Sequence, residues 1–369
     1  MLVLPLTESR AADWDAFVTA SNDAWLFHLT DWIRVEEQND RSVSFLVEAD
    51  GGIVGIFPLY LGRRKYAGVV PVNLLHTGRA RSGPALAPGL GENQRRSVLQ
   101  YMLQHADTIA TEHRVSSLEI RLPSLAPSYL PPLRSHVSPL SYFGPFSPIK
   151  YGRELGRSMT LDRIVCLDAP SDTLWMELDD DCRKAIRKAR KQGVVVTPAQ
   201  SREDVADYHR IHVENYRHTG ARVLPLAHFE RLWDAFHQRG CLELLFAESA
   251  GQRVAGLLML SFRDGATYWA GSSLVAFQHL RPNNLLMWEA MMSAKDRARR
   301  WFELGPTFPF ASPESKTRRI GRFKEQFGGE DLYLYEGVRS YWPVTIASLE
   351  ILDAVAAGLM TWARRGKTK

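Results

Sequence analysis

Apolar positions along the chain repeat at two periods, and the period changes from one stretch to the next. Residues 12–20 and 30–38 carry them at helical spacing, with Thr30 or Asp31 expected to cap a helix that buries Trp32, Ile33 and Val35. SFLVEADGGIVGIFPLYL, 44–61, reads as strand, turn, strand, because Asp50, Gly51 and Gly52 tolerate the positive φ of a tight hairpin. A helix is predicted over 92–111 with Val98, Leu99, Met102, Leu103 and Ala106 on one face. A short strand, SLEIRL at 117–122, and a proline-rich stretch, 123–148, follow it.

The second half repeats this grammar. LELLFAESAGQRVAGLLMLSF, 242–262, is again strand, polar turn, strand, with Glu248 placed like Glu48 and Gly256 matched to Gly55. Each half then runs from hairpin to helix to strand, in the second half through ATYWAGSS, residues 283–299 and WFELG. An offset of about 200 residues is too long for a solenoid and points to duplication of one module.

The clearest helix is 179–193. Aspartates open it, where the macrodipole favours negative charge, and Gly193 stands where a helix-ending glycine belongs. Cys182, Ala185, Ile186 and Ala189 form a narrow apolar stripe, and cations cover the rest of its surface. Near the C-terminal end, 344–363 reads as a helix about long enough to span a membrane. Glu350 and Asp353 lie mid-segment and argue against insertion, leaving packing on the first half or peripheral anchoring through Trp362, Arg364, Arg365 and Lys367.

A length of 369 residues implies two domains, and 24% charged residues excludes a disordered chain. The three cysteines, Cys166, Cys182 and Cys241, are scattered, which argues for a reducing compartment and against a disulfide framework or zinc site. No secretory signal is visible at the N-terminus, so a cytoplasmic enzyme is the expectation. The net charge of +5 is modest, but cations concentrate in 183–191 and 316–324. Such runs suit phosphates, a tRNA backbone or an anionic membrane, or are solvated faces with no partner.

Self-sufficient catalytic motifs are absent: there is no GxxxxGK[ST], no GxGxxG after a strand, no HExxH and no GxSxG. His209 and His212 lie three apart without a third ligand nearby, so no metal is expected. An enzyme that orients an activated acyl donor beside an amine needs few signature residues, because proximity supplies much of the rate. Tyr268, Trp269, Phe302, Phe308 and Phe310 are candidates for an acyl or adenine pocket, or for core. Asp162, Asp168 and Glu177 receive no role, and no general base is assigned.

Six segments, in order, resemble the Fem peptidyltransferases, which build the cross-bridges of bacterial peptidoglycan. They are FHLTDWIRV at 27–35, LDDDCRKAIRKARKQGVVV, ENYRHTGARVLPLAHFERLW at 214–233, YWAGSS, FELG at 302–305 and RFKEQFGG at 322–329. The resemblance covers nearly the whole chain. It implies an α/β (α+β) protein of two tandem GNAT-like acyltransferase lobes, each a mixed sheet flanked by helices. The lobes would be 1–155 on the acceptor side and 156–340 on the donor side, with 341–369 a C-terminal helix and basic tail.

The implied reaction moves an aminoacyl group from aminoacyl-tRNA to an amine of a wall precursor, with no tightly bound cofactor and no DNA partner. By this resemblance Phe323 and Lys324 match a Phe-Lys pair whose lysine stabilises the oxyanion, a task suited to a fixed ammonium. Arg217 matches an arginine on acceptor phosphates. Tyr268 and Trp269 would contact substrate, and Arg183, Lys184, Arg187, Lys188, Lys191, Arg319 and Arg322 would follow the tRNA phosphates.

The chain departs from the family in places. Glu36 stands where nucleotide-binding members carry a lysine, and Leu122-Pro123 where they carry an aspartate, so a lipid-linked precursor, a polysaccharide or another amine is also open as acceptor. Residues 194–240 leave no room for the helical hairpin that some members insert. Two other readings stand beside this one. The first is a CoA-dependent N-acyltransferase on the same fold, although 277–291 has no glycine and Pro282 removes one N–H where CoA phosphates would dock. The second is a non-catalytic protein that holds RNA or a membrane.

Overall fold

The computed structural model describes residues 1–78, 81–134, 146, 147, 149, 161–219 and 222–366. The expected lobe boundary at 155/156 and much of the proline-rich stretch lie outside the described residues. The chain packs as two compact units, one formed by Met1–Tyr151 with Tyr335–Lys369 and the other by Met159–Leu334.

The first unit contains β1 (Leu2–Pro5), α1 (Ala11–Ala20), α2 (Thr30–Glu36), β2 (Arg41–Ser42), β3 (Phe45–Ala49), β4 (Gly52–Phe57), β5 (Tyr60–Tyr66), β6 (Val70–His76), β7 (Ala85–Leu86), α3 (Glu92–Glu112) and β8 (Val115–Arg121). Its described strands form two sheets, ordered β1-β3-β4-β7 and, with β16 (Glu336–Ser340) at one edge, β16-β8-β6-β5-β2. The five expected apolar residues of α3 are all buried, and Val98 and Met102 pack into the space left by Gly55. Thr30 opens α2 as a helical residue and does not cap it. Asp15 of α1 serves instead, accepting from the Thr30 N–H at 2.8 Å and from its hydroxyl at 2.9 Å.

The segment from Tyr335 onward returns to this unit. The resemblance assigns residues 335–340 to the second lobe, but β16 pairs antiparallel with β8, from Glu336 opposite Arg121 to Ser340 opposite Ser117. A ladder of this length ties the strand to the first unit's sheet. The last helix, α10 (Pro343–Gly366), then buries Ile346 against Tyr66 and Val72 of β5 and β6. Among the described residues, no helix is long and apolar enough to cross a membrane.

The second unit contains β9 (Leu161–Cys166), α4 (Ser171–Glu177), α5 (Asp180–Lys191), β10 (Val195–Pro198), α6 (Asp204–Thr219), α7 (Leu226–Phe236), β11 (Leu242–Ser249), β12 (Gln252–Phe262), β13 (Gly265–Ser273), α8 (Pro282–Asp296), β14 (Trp301–Thr307), α9 (Lys316–Glu325) and β15 (Glu330–Tyr333). Its described strands make one sheet, β10-β11-β12-β13-β14-β9-β15. On one face α5 and α8 cover it, with Cys182, Ile186, Ala189, Leu285 and Trp288 in a common core. Gly193, at φ +75°, ends α5 as its sequence position predicts.

Register makes the repeat specific. In both hairpins the turn has two successive positive-φ residues, Asp50-Gly51 and Ala250-Gly251, and the ladder shifts at Val47/Glu48 and at Ala247/Glu248. Val47 opposes Gly55 as Ala247 opposes Ala255, so the equivalent of Gly55 is Ala255. The sequence match to Gly256 is one residue out. Gly256 answers another need, since a Cβ there would come within 2.6 Å of the Tyr208 ring on α6.

Candidate functional site

The second unit's sheet opens between β13 and β14. These strands run parallel, but their ladder covers only Gly265–Thr267 opposite Trp301–Glu303. Beyond that point β13 continues to Ser273 along β12, and β14 continues to Thr307 along β9. Both outer ladders slip where the strands part. Met259 opposes Tyr268 while Leu258 opposes Ala270, which leaves Trp269 extra; Glu303 opposes Ile164 while Gly305 opposes Arg163, which leaves Leu304 extra. A bulge bends its strand and increases its twist, and two bulges on facing strands drive them apart. The half-buried run Tyr268–Gly271 lines one side of this split.

Lys324 lies at the other side. Its helix, α9, is capped by Ser315, whose hydroxyl accepts from the Arg318 N–H at 3.1 Å, and is braced by the two-pronged Arg318–Glu325 pair at 2.6 and 3.1 Å. Gly321 lets the helix approach the end of β14, because a Cβ there would lie 3.3 Å from the Phe308 nitrogen. Phe323 packs against the core and meets Phe327 edge-on, with centroids 5.3 Å apart. Lys324, one residue on, is buried and donates from Nζ to the Pro306 carbonyl at 3.0 Å. Gly305, at φ +82°, leaves room for that ammonium. The Phe-Lys pair thus divides its work, one side chain anchoring the helix and the other delivering charge to the open strand.

Two acids without a role in the sequence reading share these strands. Asp162 is fully buried on β9 opposite Pro306, and Glu303 is buried on β14 where the split begins. Only their flanking apolar residues could have signalled burial from sequence.

On β13, burial raises the Tyr268 hydroxyl well above its usual range, so it remains a donor. His212 of α6 is buried nearby. Its Nε2 accepts from the Leu224 N–H at 3.1 Å, its Nδ1 lies 3.5 Å from the Ser272 hydroxyl, and its ring packs on Tyr216 at 3.9 Å. Burial first, then His209 and His228, push His212 down to about 4, so it is a neutral packing residue. Among the described residues, no group of three or more His, Cys, Asp or Glu side chains is placed to hold a metal. Arg217, exposed near the end of α6, lines a groove of about 520 Å³ with Arg210, Glu214, His218 and Val275.

The expected phosphate track is spread unevenly. Arg183 is committed inward, donating to the Met176 and Leu178 carbonyls at 2.6 Å each and pairing with Asp180. Lys184 pairs with Asp181 at 3.1 Å. Arg187 lies over the Trp175 ring at 5.6 Å, while Lys188, Lys191, Arg319 and Arg322 are exposed and have no acidic partner among the described residues. The two helices meet through the Asp179 N–H and the Gln326 carbonyl, 2.9 Å apart. That junction joins the acidic end of α5 to the C-terminal end of α9, so aspartates separate the two groups of exposed cations.

In the turn before α8, Arg281 takes a left-handed conformation at φ 61°, and Pro282 is the first helical residue. A glycine would adopt that backbone without strain, and it would bring the chain closer to a pyrophosphate. A cavity of about 620 Å³ lies in the first unit. No expected site residue lines it, and its Arg34 already pairs with Glu8 and Asp31 at 2.7 Å each.

Residues 179–314 match the sequence profile of the acetyltransferase (GNAT) domain, so the second unit carries an acyltransferase domain of GNAT type. The match ends before Lys324. No curated protein sequence matches significantly. Among solved structures, the crystal structure of FemX is similar over 91% of this chain and 97% of its own, at 16% identity and TM-score 0.68. The C-terminal domain of a putative lysylphosphatidylglycerol synthetase from Agrobacterium fabrum is similar over 94% and 95%, at 12% identity and TM-score 0.54. A tandem GNAT protein of the clavulanic acid biosynthesis pathway is similar over 92% and 98%, at 11% identity and TM-score 0.55. At these identities the likeness is one of fold. The architecture is that of a tandem GNAT protein, and the resemblance to FemX holds at that level.

Proposed function

We propose that this acyltransferase forms an amide bond by moving an aminoacyl group from aminoacyl-tRNA to an amine, the acceptor being a wall precursor or a related amine. The observation that carries the reading is the Lys324 ammonium, pinned by the Pro306 carbonyl at the edge of the split between β13 and β14. The acceptor nitrogen attacks the ester carbonyl, and negative charge develops on the carbonyl oxygen. An ammonium already fixed beside that oxygen stabilises it without reorganising. Collapse expels the ribose hydroxyl of the tRNA, which takes up the proton that the amine has lost. Phe323 keeps α9 seated, Tyr268 and Trp269 bound the acyl group, and Arg217 holds acceptor phosphate.

The likeness to FemX over both units supports an aminoacyl donor, as does the exposed cationic side of α5. Aminoacyl-tRNA places the reaction in the cytoplasm, and a lipid-linked acceptor would place it at the inner face of the membrane. The match to the GNAT profile favours a second reading, with acyl-CoA as donor. Offering charged tRNA and acyl-CoA separately with amine acceptors, and reading the product mass, tests both. An amide formed only from tRNA supports the first reading, one formed only from acyl-CoA replaces it, and none from either removes both.

A further inference from the structure

Among its described side chains, the helix α10 has two apolar sides, and only one of them is packed. Ile346 is buried on Tyr66 and Val72, with Leu349 and Val70 beside them. Away from that contact, Val344 is 79% exposed, Ile351 66% and Val355 55%, with Leu352 next to them. At helical pitch, positions 344, 351 and 355 fall within about 40° of one another and nearly opposite position 346, and position 362, a tryptophan, continues their line. Single exposed apolar residues need no explanation, but a stripe opposite the packed side of one helix does. Glu350 falls by periodicity on the packed side.

The surroundings are rich in cations, one of which, Arg64, pairs with the buried Glu119 at 2.7 Å. The hairpin beneath α10 exposes Arg63, Arg64 and Lys65 on β5, and its turn presents Val69, 74% exposed. Beyond Asp353 the sequence has no acid and four cations, Arg364, Arg365, Lys367 and Lys369. Exposed Trp342 precedes the helix and Trp362 lies in its last turns. Apolar stripe, tryptophans near both ends and a cationic rim are the features of a helix that lies in a membrane interface.

We infer that α10 and the β5–β6 hairpin form a docking surface for an anionic lipid bilayer. The helix lies flat, with Val344, Ile351 and Val355 entering the headgroup boundary and the cations meeting lipid phosphates. A second copy fits less well, because a two-fold contact through this face would oppose its own cations. Binding needs neither donor nor acceptor, so the test is independent of the transfer chemistry.

The full-length protein is sedimented with phosphatidylcholine vesicles, with and without phosphatidylglycerol. Binding is expected only to the anionic vesicles, weakened by salt, and reduced about tenfold or more by Ile351→Glu or Val355→Glu, with melting temperature unchanged because both sites are exposed. Lys65→Glu should weaken it by a smaller factor. No binding to anionic vesicles, equal binding to neutral ones, or variants that bind like wild type would each overturn the inference. So would a dimer that Ile351→Glu dissociates, seen by light scattering without vesicle binding.

Discussion

The Lys324 ammonium and Gly305 share one small space, for a Cβ built on Gly305 would stand 3.0 Å from Nζ. The same Nζ donates to the carbonyl of the next residue, Pro306, at 3.0 Å. Two adjacent residues of β14 thus hold the charge, one by accepting its hydrogen bond and the other by having no side chain.

Replacing Lys324 by methionine keeps the packing volume and removes the donor. Turnover is expected to fall about 100- to 1,000-fold. Loss of the bond to Pro306 should cost on the order of 1–3 kcal/mol, which a thermal melt would register without loss of the fold. Single-turnover rates within a few-fold of wild type would remove Lys324 from the mechanism.

Gly305→Ala tests the other half of that pair. A side chain at φ +82° costs about 1–2 kcal/mol, and its Cβ pushes on the ammonium. The rate should therefore fall with the lysine still present. A melting shift with unchanged kcat would show that the glycine serves the backbone alone.

Stability should fall in mild acid through two buried histidines, one in each unit. His28 has its Nε2 2.8 Å from the Gly83 carbonyl and its Nδ1 facing the Trp25 N–H at 3.2 Å. Burial holds both His28 and His212 down to about 4, against 6.5 when exposed. Between those values the unfolded chain takes up protons that the folded chain refuses. The stabilisation is whole above pH 6.5, declines as pH drops toward 4 and levels off below. The slope is up to about 1.4 kcal/mol per pH unit for each histidine. Denaturant titrations across that range should lose about one proton of slope in His28→Gln or His212→Gln, and an unchanged slope would refute the assignment.

The donor reading predicts a salt signature. Glutamine at Arg187, Lys188 and Lys191 should lower the slope of log K for charged tRNA against log salt by roughly one unit for each phosphate no longer neutralised. The same change at Arg183 should act through stability, because that guanidinium caps the carbonyls ending α4. Filter binding and melting curves separate the two effects, and a slope that ignores all three cations would take α5 out of the interface.

Elements whose signal lies within about 15 residues are legible from sequence. The β3–β4 and β11–β12 hairpins, the apolar face of α3 and the glycine end of α5 all follow from local periodicity and turn chemistry. The Phe323-Lys324 pair is visible as a pattern. Other features depend on distant partners. Asp15 caps α2 from another helix, the return of β16 needs the edge of β8, and Arg183 is spent on carbonyls that its charge alone could not reveal. The split between β13 and β14 begins at bulges at Trp269 and Leu304, on strands joined through the whole of α8, and a bulge is defined only by the neighbour it slips against. Periodicity records which way a residue faces along its own element; which element it faces is settled only when the chain closes on itself.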